Sequence, residues 1–248
     1  MKSMTPVAAT ALAGLAVSLA AGASPAKADF IFGQLTPTPA CGPVSGPGSV
    51  CAPNETFTSG GQTVVAHGFP GAPDGTAPGT ANLTLKPFAL NGLSESGLGV
   101  QSNNNSTTCT DPDCEILPPQ SVSVTASTGI ITDALIGSVQ AGESFEFFVQ
   151  TALNGAFTQL GGVITNTCIG PGFSVAGTDL CRWDAPSGQT RFGVAVEAVS
   201  TDGAPLGDVL LTSVSTVPGP IVGAGLPGFV VACGALLALG RRRRQQIV

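Results

Sequence analysis

The sequence predicts an all-β fold, an antiparallel β-sandwich with long loops. Short segments in which apolar and polar residues alternate recur along the middle of the chain, and Gly, Asn, Asp or Pro separates nearly all of them. Outside the two ends, no stretch has the helical period of 3.6 residues, and no repeat of fixed length is present. Alternation of this kind is typical of antiparallel sheets with one face in water.

The predicted strands follow a segment that is rich in Pro, Gly, Thr and Ser. We expect residues 29–61 to form an irregular arm, within which residues 30–32 are a candidate first strand. Residues 62–216 are expected to form the sandwich. The predicted strands lie at 63–66, 81–86, 121–125, 145–149, 163–165, 192–199 and 209–214.

The first 28 residues have the plan of a secretory signal peptide. Lys2 precedes an uncharged apolar run at 7–21, and Ala-Lys-Ala at 26–28 is a pattern that signal peptidase accepts. The run is shorter than the roughly 20 residues of a transmembrane helix. We therefore expect cleavage after Ala28 and a mature chain that begins at Asp29. A retained N-terminal anchor is the alternative.

An apolar run and a basic cluster mark the other end. Residues 221–239 carry no charge, and as a helix they would extend about 28 Å, close to the hydrocarbon thickness of a bilayer. Adjacent arginines resist translocation, so the cluster that follows is expected to stay cytoplasmic and the preceding domain to lie outside. The cluster consists of Arg241, Arg242, Arg243 and Arg244.

Residues 217–248 resemble the PEP-CTERM sorting signal. They combine Val217-Pro218-Gly219-Pro220, an apolar segment with Gly-Ala-Gly-Leu-Pro-Gly at 223–228, and the arginine cluster. Gly219 stands where most members carry Glu. The resemblance implies cutting near Pro-x-Pro by an exosortase, an integral-membrane cysteine transpeptidase, in a bacterial envelope that also carries exopolysaccharide. An ordinary tail anchor is the alternative.

A second similarity lies within the domain. The order Gly-Leu-Gly-Val at 97–100, an Asn/Asp-rich loop, Glu-Ile at 115–116 and a hairpin resembles an arrangement in many PEP-CTERM ectodomains. This resemblance implies an extracellular β-sandwich and no particular activity.

The charge of the domain argues against nucleic acid as a partner. Residues 29–217 contain 15 acidic side chains and three basic ones, Lys86, Arg182 and Arg191, so the net charge there is 3 minus 15, or −12. Such a field repels phosphate backbones and anionic lipid. We therefore interpret the four terminal arginines as a signal that sets membrane topology, and not as a site for nucleic acid.

Six of the seven cysteines fall into three close pairs, and Cys233 lies in the apolar tail. Disulfides are the usual state of such pairs in an exported protein. Six cysteines allow 15 pairings, and short spacing around turn-rich loops favours the sequential one. A zinc site is not expected, because Cys-x-x-Cys is missing and the chain has one histidine. The predicted disulfides are Cys41–Cys51, Cys109–Cys114 and Cys168–Cys181.

Catalytic constellations are sparse. A Ser-His-Asp site would need His67, and no Gly-x-Ser-x-Gly motif accompanies it. A glycosidase would need paired carboxylates such as Glu143 and Glu146, or Glu197, but acidic residues on strands usually form the solvated face of a sheet. We therefore expect no catalytic activity and no cofactor.

Two features are candidates for ligand contact. Asp111, Asp113 and Glu115 lie in a short loop, and their oxygens are a candidate calcium site; a solvated acidic loop is the alternative. Trp183 lies next to a predicted disulfide. Its ring is either a candidate glycan contact or, as we expect, part of the core.

Together these observations predict an exported, exosortase-processed structural protein. Its C-terminal helix would hold it in the membrane before processing, and it would then reside at the cell surface or outside the cell. The expected partners are signal peptidase, an exosortase-like membrane transpeptidase and exopolysaccharide. An extracellular glycan-binding module is the alternative function, and it requires Trp183 or the loop at Asp111 to be exposed.

Overall fold

A computed structural model of the chain describes residues 27–44, 46–101, 114–200 and 208–219. Two antiparallel sheets form this part of the protein, with one short helix, α1 (Phe88–Asn91), and a 3-10 turn at Phe32–Gln34. The strands are β1 (Ala28–Ile31), β2 (Ser49–Val50), β3 (Asn54–Ser59), β4 (Gln62–Phe69), β5 (Leu83–Lys86), β6 (Gly97–Val100), β7 (Ser121–Ala126), β8 (Ile130–Gly137), β9 (Ser144–Gln150), β10 (Thr158–Gln159), β11 (Ile164–Thr165), β12 (Phe173–Gly177), β13 (Leu180–Asp184), β14 (Gly193–Ala198) and β15 (Leu210–Val217).

The strands divide into a first sheet of eight and a second of seven. The first has the order β12-β13-β8-β15-β6-β5-β2, and β1 also pairs with β15. The second has the order β10-β9-β14-β7-β4-β3, and β11 also pairs with β9. The predicted all-β class is confirmed, and two antiparallel sheets around one core fit the expected sandwich. Each predicted segment after residue 62 overlaps a strand of the structure, namely β4, β5, β7, β9, β11, β14 and β15.

The core lies between the sheets because alternate side chains of each strand point inward. Val122 and Val124 of β7 are fully buried there, as are Phe145 and Phe147 of β9. Full burial of side chains of this size stabilises a fold by roughly 1.5–3 kcal/mol each. The polar residues between them lie on the outer face of the second sheet.

The segment 29–61 differs from the irregular arm that its composition predicts. It contains β1, β2 and β3, and Phe30, Phe32 and Phe57 are fully buried. The rings of Phe32 and Phe57 meet edge to face, 4.9 Å apart between centroids. Burial of three aromatic rings outweighs the local Pro and Gly content. The segment is therefore part of the sandwich.

The sequence pattern also missed β8, which lies in the middle of the first sheet between β13 and β15. The pairing of β8 with β15 shifts register twice, between Leu211 and Ser213 and between Ser215 and Thr216. Each such irregularity interrupts the alternation of inward and outward side chains on which strand prediction relies.

Two of the three predicted disulfides are confirmed. Cys41 bonds Cys51, and Cys168 bonds Cys181. Cys114 is disulfide-bonded as well, while Cys109 lies outside the described residues. Loops of this length stabilise a fold by roughly 2–3 kcal/mol when closed by a disulfide. Such bonds are typical of an oxidising, extracellular compartment.

Among the described residues, no helix has the length and apolar character needed to cross a membrane. The predicted helix at 221–239, the arginines at 241–244 and all of the predicted signal peptide except Lys27 and Ala28 lie outside the described residues. The signal peptide, the membrane helix and the arginine cluster therefore remain predictions from the sequence.

Candidate functional site

The two ends of the described chain meet in the first sheet. Ala28 of β1 pairs with Thr216 of β15, and Thr216 pairs on its other side with Ile131 of β8. Val217, the first residue of the predicted sorting motif, is the last residue of β15. The motif therefore begins where a strand with neighbours on both sides ends.

The next residues of the motif leave the sheet beside Gly129. Pro218 and Gly219 are half-buried and have no regular secondary structure, and Pro220 lies outside the described residues. Gly129 has a φ of +112°, and a Cβ there would come within 2.4 Å of the carbonyl oxygen of Val217. Gly129 thus allows the backbone of Val217 to approach closely.

Several charged side chains lie near the predicted signal-peptidase site. The Ser215 hydroxyl lies 2.7 Å from Asp29 Oδ1 and 2.8 Å from Asp133 Oδ1, so it donates to one of these carboxylates at a time. Lys27 Nζ lies 3.0 Å from Asp133, and Arg182 lies 3.5 Å from the same carboxylate. The hydrogen bond with Ser215 lowers the pKa of Asp29. Cleavage after Ala28 would remove Lys27 and leave an α-ammonium at Asp29.

Trp183 lies in the core, which is the alternative that we expect from the sequence, and its ring has no exposed surface for a glycan in this structure. The side chain is fully buried on β13, and its ring lies 4.9 Å from that of Phe147 between centroids. It shares one core cluster with the Cys168–Cys181 disulfide. The ring stays inside because its apolar area fills the space between the two sheets.

Of the three candidate calcium residues, the structure describes Glu115 alone. Asp111 and Asp113 lie outside the described residues. Glu115 is only 3% exposed and forms an ion pair and hydrogen bond with Lys86. Its other carboxylate oxygen accepts a hydrogen bond of 3.1 Å from Ser138. Glu115 therefore faces the interior, where the Lys86 ammonium compensates its charge.

Further carboxyl groups lie around this ion pair. Lys86 Nζ is also 3.5 Å from Glu95. Burial raises the pKa of Glu115 to about 7, although the hydrogen bond and charge of Lys86 act in the opposite direction. Burial and the neighbouring Asp208 raise the pKa of Glu143 to about 8. At neutral pH, Glu143 is therefore mostly protonated.

Of the three carboxylates that a glycosidase could use, two are neighbours in the second sheet. Glu146 of β9 and Glu197 of β14 are directly opposite each other on the outer face of the second sheet, while Glu143 precedes β9. Burial, and then the charge of Glu146, raise the pKa of Glu197. The outer face of the second sheet also has a pocket, and neither Glu146 nor Glu197 lines it.

That pocket has a volume of about 230 Å³ and lies between two loops on the outer face of the second sheet. Loop 70–80 follows β4, and loop 151–157 follows β9. The buried Gln150 side chain joins them, because its Nε2 donates to the carbonyl oxygens of Gly155 at 2.6 Å and Gly75 at 3.4 Å. The lining residues are His67, Asp74, Gly75, Thr76, Ala77, Pro78, Ser123, Thr125, Asn154 and Phe157.

Three side chains lie side by side on β3, β4 and β7, and those on β4 and β7 line the floor of the pocket. Asn54 of β3 pairs with His67 of β4, and His67 pairs with Ser123 of β7. Asn54 Oδ1 lies 2.5 Å from His67 Nδ1. Ser123 is 1% exposed, and its hydroxyl has no hydrogen-bond partner among the described residues. A buried hydroxyl without a partner costs roughly 1–3 kcal/mol.

The backbone of Gly79 fixes the tautomer of His67. Gly79 N–H donates to Asn54 Oδ1 at 2.7 Å, and Asn54 Nδ2 donates to Gly79 O at 3.2 Å. The atom that faces His67 Nδ1 is therefore an acceptor, so Nδ1 carries the proton and Nε2 has a free lone pair. Burial lowers the pKa of His67, which keeps the ring neutral.

The sequence draws attention to His67 as the chain's one histidine but gives no such signal for Ser123. The alternation of residues 121–125 places Ser123 on the face opposite Val122 and Val124, and this much could be read from the sequence. The pairing of β7 with β4 could not, because it depends on the order of strands in the sheet.

Comparison with protein-family models, with curated proteins and with solved structures finds no match for this chain.

Proposed function

We propose that this chain is an exported structural protein of a bacterial envelope that carries exopolysaccharide, and that an exosortase-like membrane transpeptidase cuts it near Val217–Pro218. Signal peptidase would first remove residues 1–28. The helix at 221–239 would then hold the domain outside the membrane until the second cut, after which the domain would remain at the surface or leave the cell. The domain itself has no catalytic role in this proposal.

One observation carries the proposal: the Pro-x-Pro motif follows β15 without a linker. A protease needs an extended segment outside the fold. Pro fixes its own φ at about −65° and restricts the residue before it to extended conformations. Val217 is the last strand residue and pairs with Ile130, whereas Pro218 and Gly219 are outside the sheet. A cut at this boundary would leave the paired strand intact.

The disulfides and the charge of the domain support the same proposal. The bonds Cys41–Cys51 and Cys168–Cys181 fit an oxidising compartment. The net charge of −12 over residues 29–217, from three basic and 15 acidic side chains, fits a soluble surface that does not bind anionic membranes or nucleic acid.

The test is the double variant Pro218→Ala/Pro220→Ala, produced in a host with an active exosortase. Residues 218–248 are 31 of 248 residues in a chain of 24.4 kDa, so the uncut form is about 3 kDa heavier. We expect this heavier form in the membrane fraction and the lighter form for the natural sequence. Pro186→Ala, at an exposed proline of the domain, is the control and is expected to be cut normally. If the double variant has the size and location of the natural chain, the tail is an ordinary anchor.

A further inference from the structure

The pocket on the second sheet presents hydrogen-bonding groups to a ligand from its floor. His67 Nε2 is an acceptor, since Nδ1 donates its proton to Asn54. The Ser123 hydroxyl is both a donor and an acceptor, and it has no partner in the described part of the chain. A ligand that carries hydroxyl groups would satisfy both side chains, because each hydroxyl both donates and accepts.

The charge of the pocket disfavours anionic ligands. No lysine or arginine is found among the described residues that line it. Asp74 stands at the rim, and hydrogen bonds from the backbone and side chain of Thr76 lower its pKa, so it is ionised at neutral pH. A carboxylate or phosphate in the pocket would be repelled by Asp74 without a compensating cation.

The walls of the pocket set the size of the ligand. A volume of about 230 Å³ is below the range of roughly 300–1,000 Å³ that is usual for drug-sized ligands. Phe157 contributes an aromatic surface on which the C–H face of a sugar ring can pack. A Cβ at Gly75 would come within 2.1 Å of the carbonyl oxygen of Gly155, so the absence of a side chain at Gly75 lets the two loops meet above the sheet.

We propose that this pocket binds one neutral sugar residue through His67 and Ser123, with Asp74 and Phe157 at its sides. The inference does not rest on how the chain is exported or cut. It differs from a glycan site at Trp183, which is buried. A ligand hydroxyl that binds Ser123 removes the free-energy cost of leaving this buried hydroxyl without a hydrogen-bond partner.

The single histidine of the chain makes the experiment specific. The full chain, labelled with ¹⁵N and held in a polyoxyethylene detergent that contains no sugar, is titrated with the methyl glycosides of glucose, galactose, mannose and N-acetylglucosamine. The imidazole signals can come only from His67. We expect the free protein to have the proton on Nδ1, and at least one glycoside to shift the Nε2 signal with a Kd on the order of 1 mM.

Substitutions then separate the pocket from the rest of the fold. Ser123→Ala is expected to weaken binding roughly tenfold without lowering stability, because it removes a hydroxyl that has no partner. Gly75→Ala is expected to weaken it by separating the loops. Thr212→Val is the matched control: Thr212 is fully buried in the first sheet, its hydroxyl also lacks a partner in the described structure, and it does not line the pocket.

Three results would overturn the proposal. The first is an imidazole that no glycoside shifts. The second is a glycoside whose Kd is the same for Ser123→Ala and Thr212→Val. The third is stronger binding of glucuronic acid or of choline, which would mean that the pocket selects charge. Trisaccharides of the bound sugar form a second arm, and they distinguish a pocket for the end of a polymer from one for a free sugar.

Discussion

Ala28 and Thr216 pair across β1 and β15, so the two predicted processing sites lie side by side in the first sheet. Signal peptidase would cut directly after Ala28, and exosortase would cut one or two residues after Thr216. Both cuts therefore fall at the same end of the domain. The remaining pairs of β1 with β15, from Asp29 with Ser215 to Ile31 with Ser213, would survive the two cuts.

The first prediction concerns this N-terminus. We expect the intact mass of the mature protein to correspond to a chain that begins at Asp29. The α-ammonium of Asp29 would then be a cation near Asp133 in place of Lys27, whose ammonium lies 3.0 Å from that carboxylate in the uncut chain. A mature mass that still includes residues 1–28 would refute signal-peptide cleavage.

The fold class could be predicted from the sequence because alternation and turn residues are local signals. Most strands of the second sheet follow this pattern, and β7 with Val122 and Val124 inside is the clearest case. The strand β3 was missed because Phe57 is the only large apolar residue among Asn54–Ser59, and β8 because its pairing with β15 is irregular. In both, long-range pairing decides the structure.

The candidate site was less predictable than the fold. His67 is conspicuous in the sequence because it is the chain's one histidine. The residues that pair with it come from β3 and β7, and no local sequence pattern predicts these pairings. The sequence is compatible with Trp183 either exposed to a glycan or buried in the core, and only the packing of the two sheets places it in the core. The sequence places Glu115 in an acidic loop, and no local pattern links it to its partner Lys86, which lies 29 residues away in the chain.

The second prediction concerns Glu143, whose folded-state pKa of about 8 lies above its ordinary value of 4.5. The folded state therefore keeps a proton that the unfolded state loses, so this group stabilises the fold at low pH and the contribution is lost as pH rises from about 4.5 to about 8. We expect the urea midpoint of the natural chain to fall across this window. Glu143→Gln should flatten the fall.

The measurement is urea unfolding at pH 5 and pH 8.5, followed by circular dichroism. Asp179→Asn, in the turn between β12 and β13, is the matched control for changing an acid to its amide. A Glu143→Gln midpoint that falls with pH as steeply as that of the natural chain would show that Glu143 is ionised in the fold.

The last prediction concerns the ion pair of Lys86 and Glu115, which are 2% and 3% exposed. Lys86→Met leaves the Glu115 carboxyl buried without its cation, and breaking a buried pair in this way costs roughly 3–5 kcal/mol. The loss should be smaller at pH 5 than at pH 8, because below about 7 Glu115 binds a proton and needs no counter-charge. Lys86→Met/Glu115→Leu removes both charges and should recover most of the stability, since an apolar pair of similar volume is often no worse than an ion pair. A double variant as unstable as the single one at both pH values would mean that the Lys86 side chain acts through packing and not through its charge.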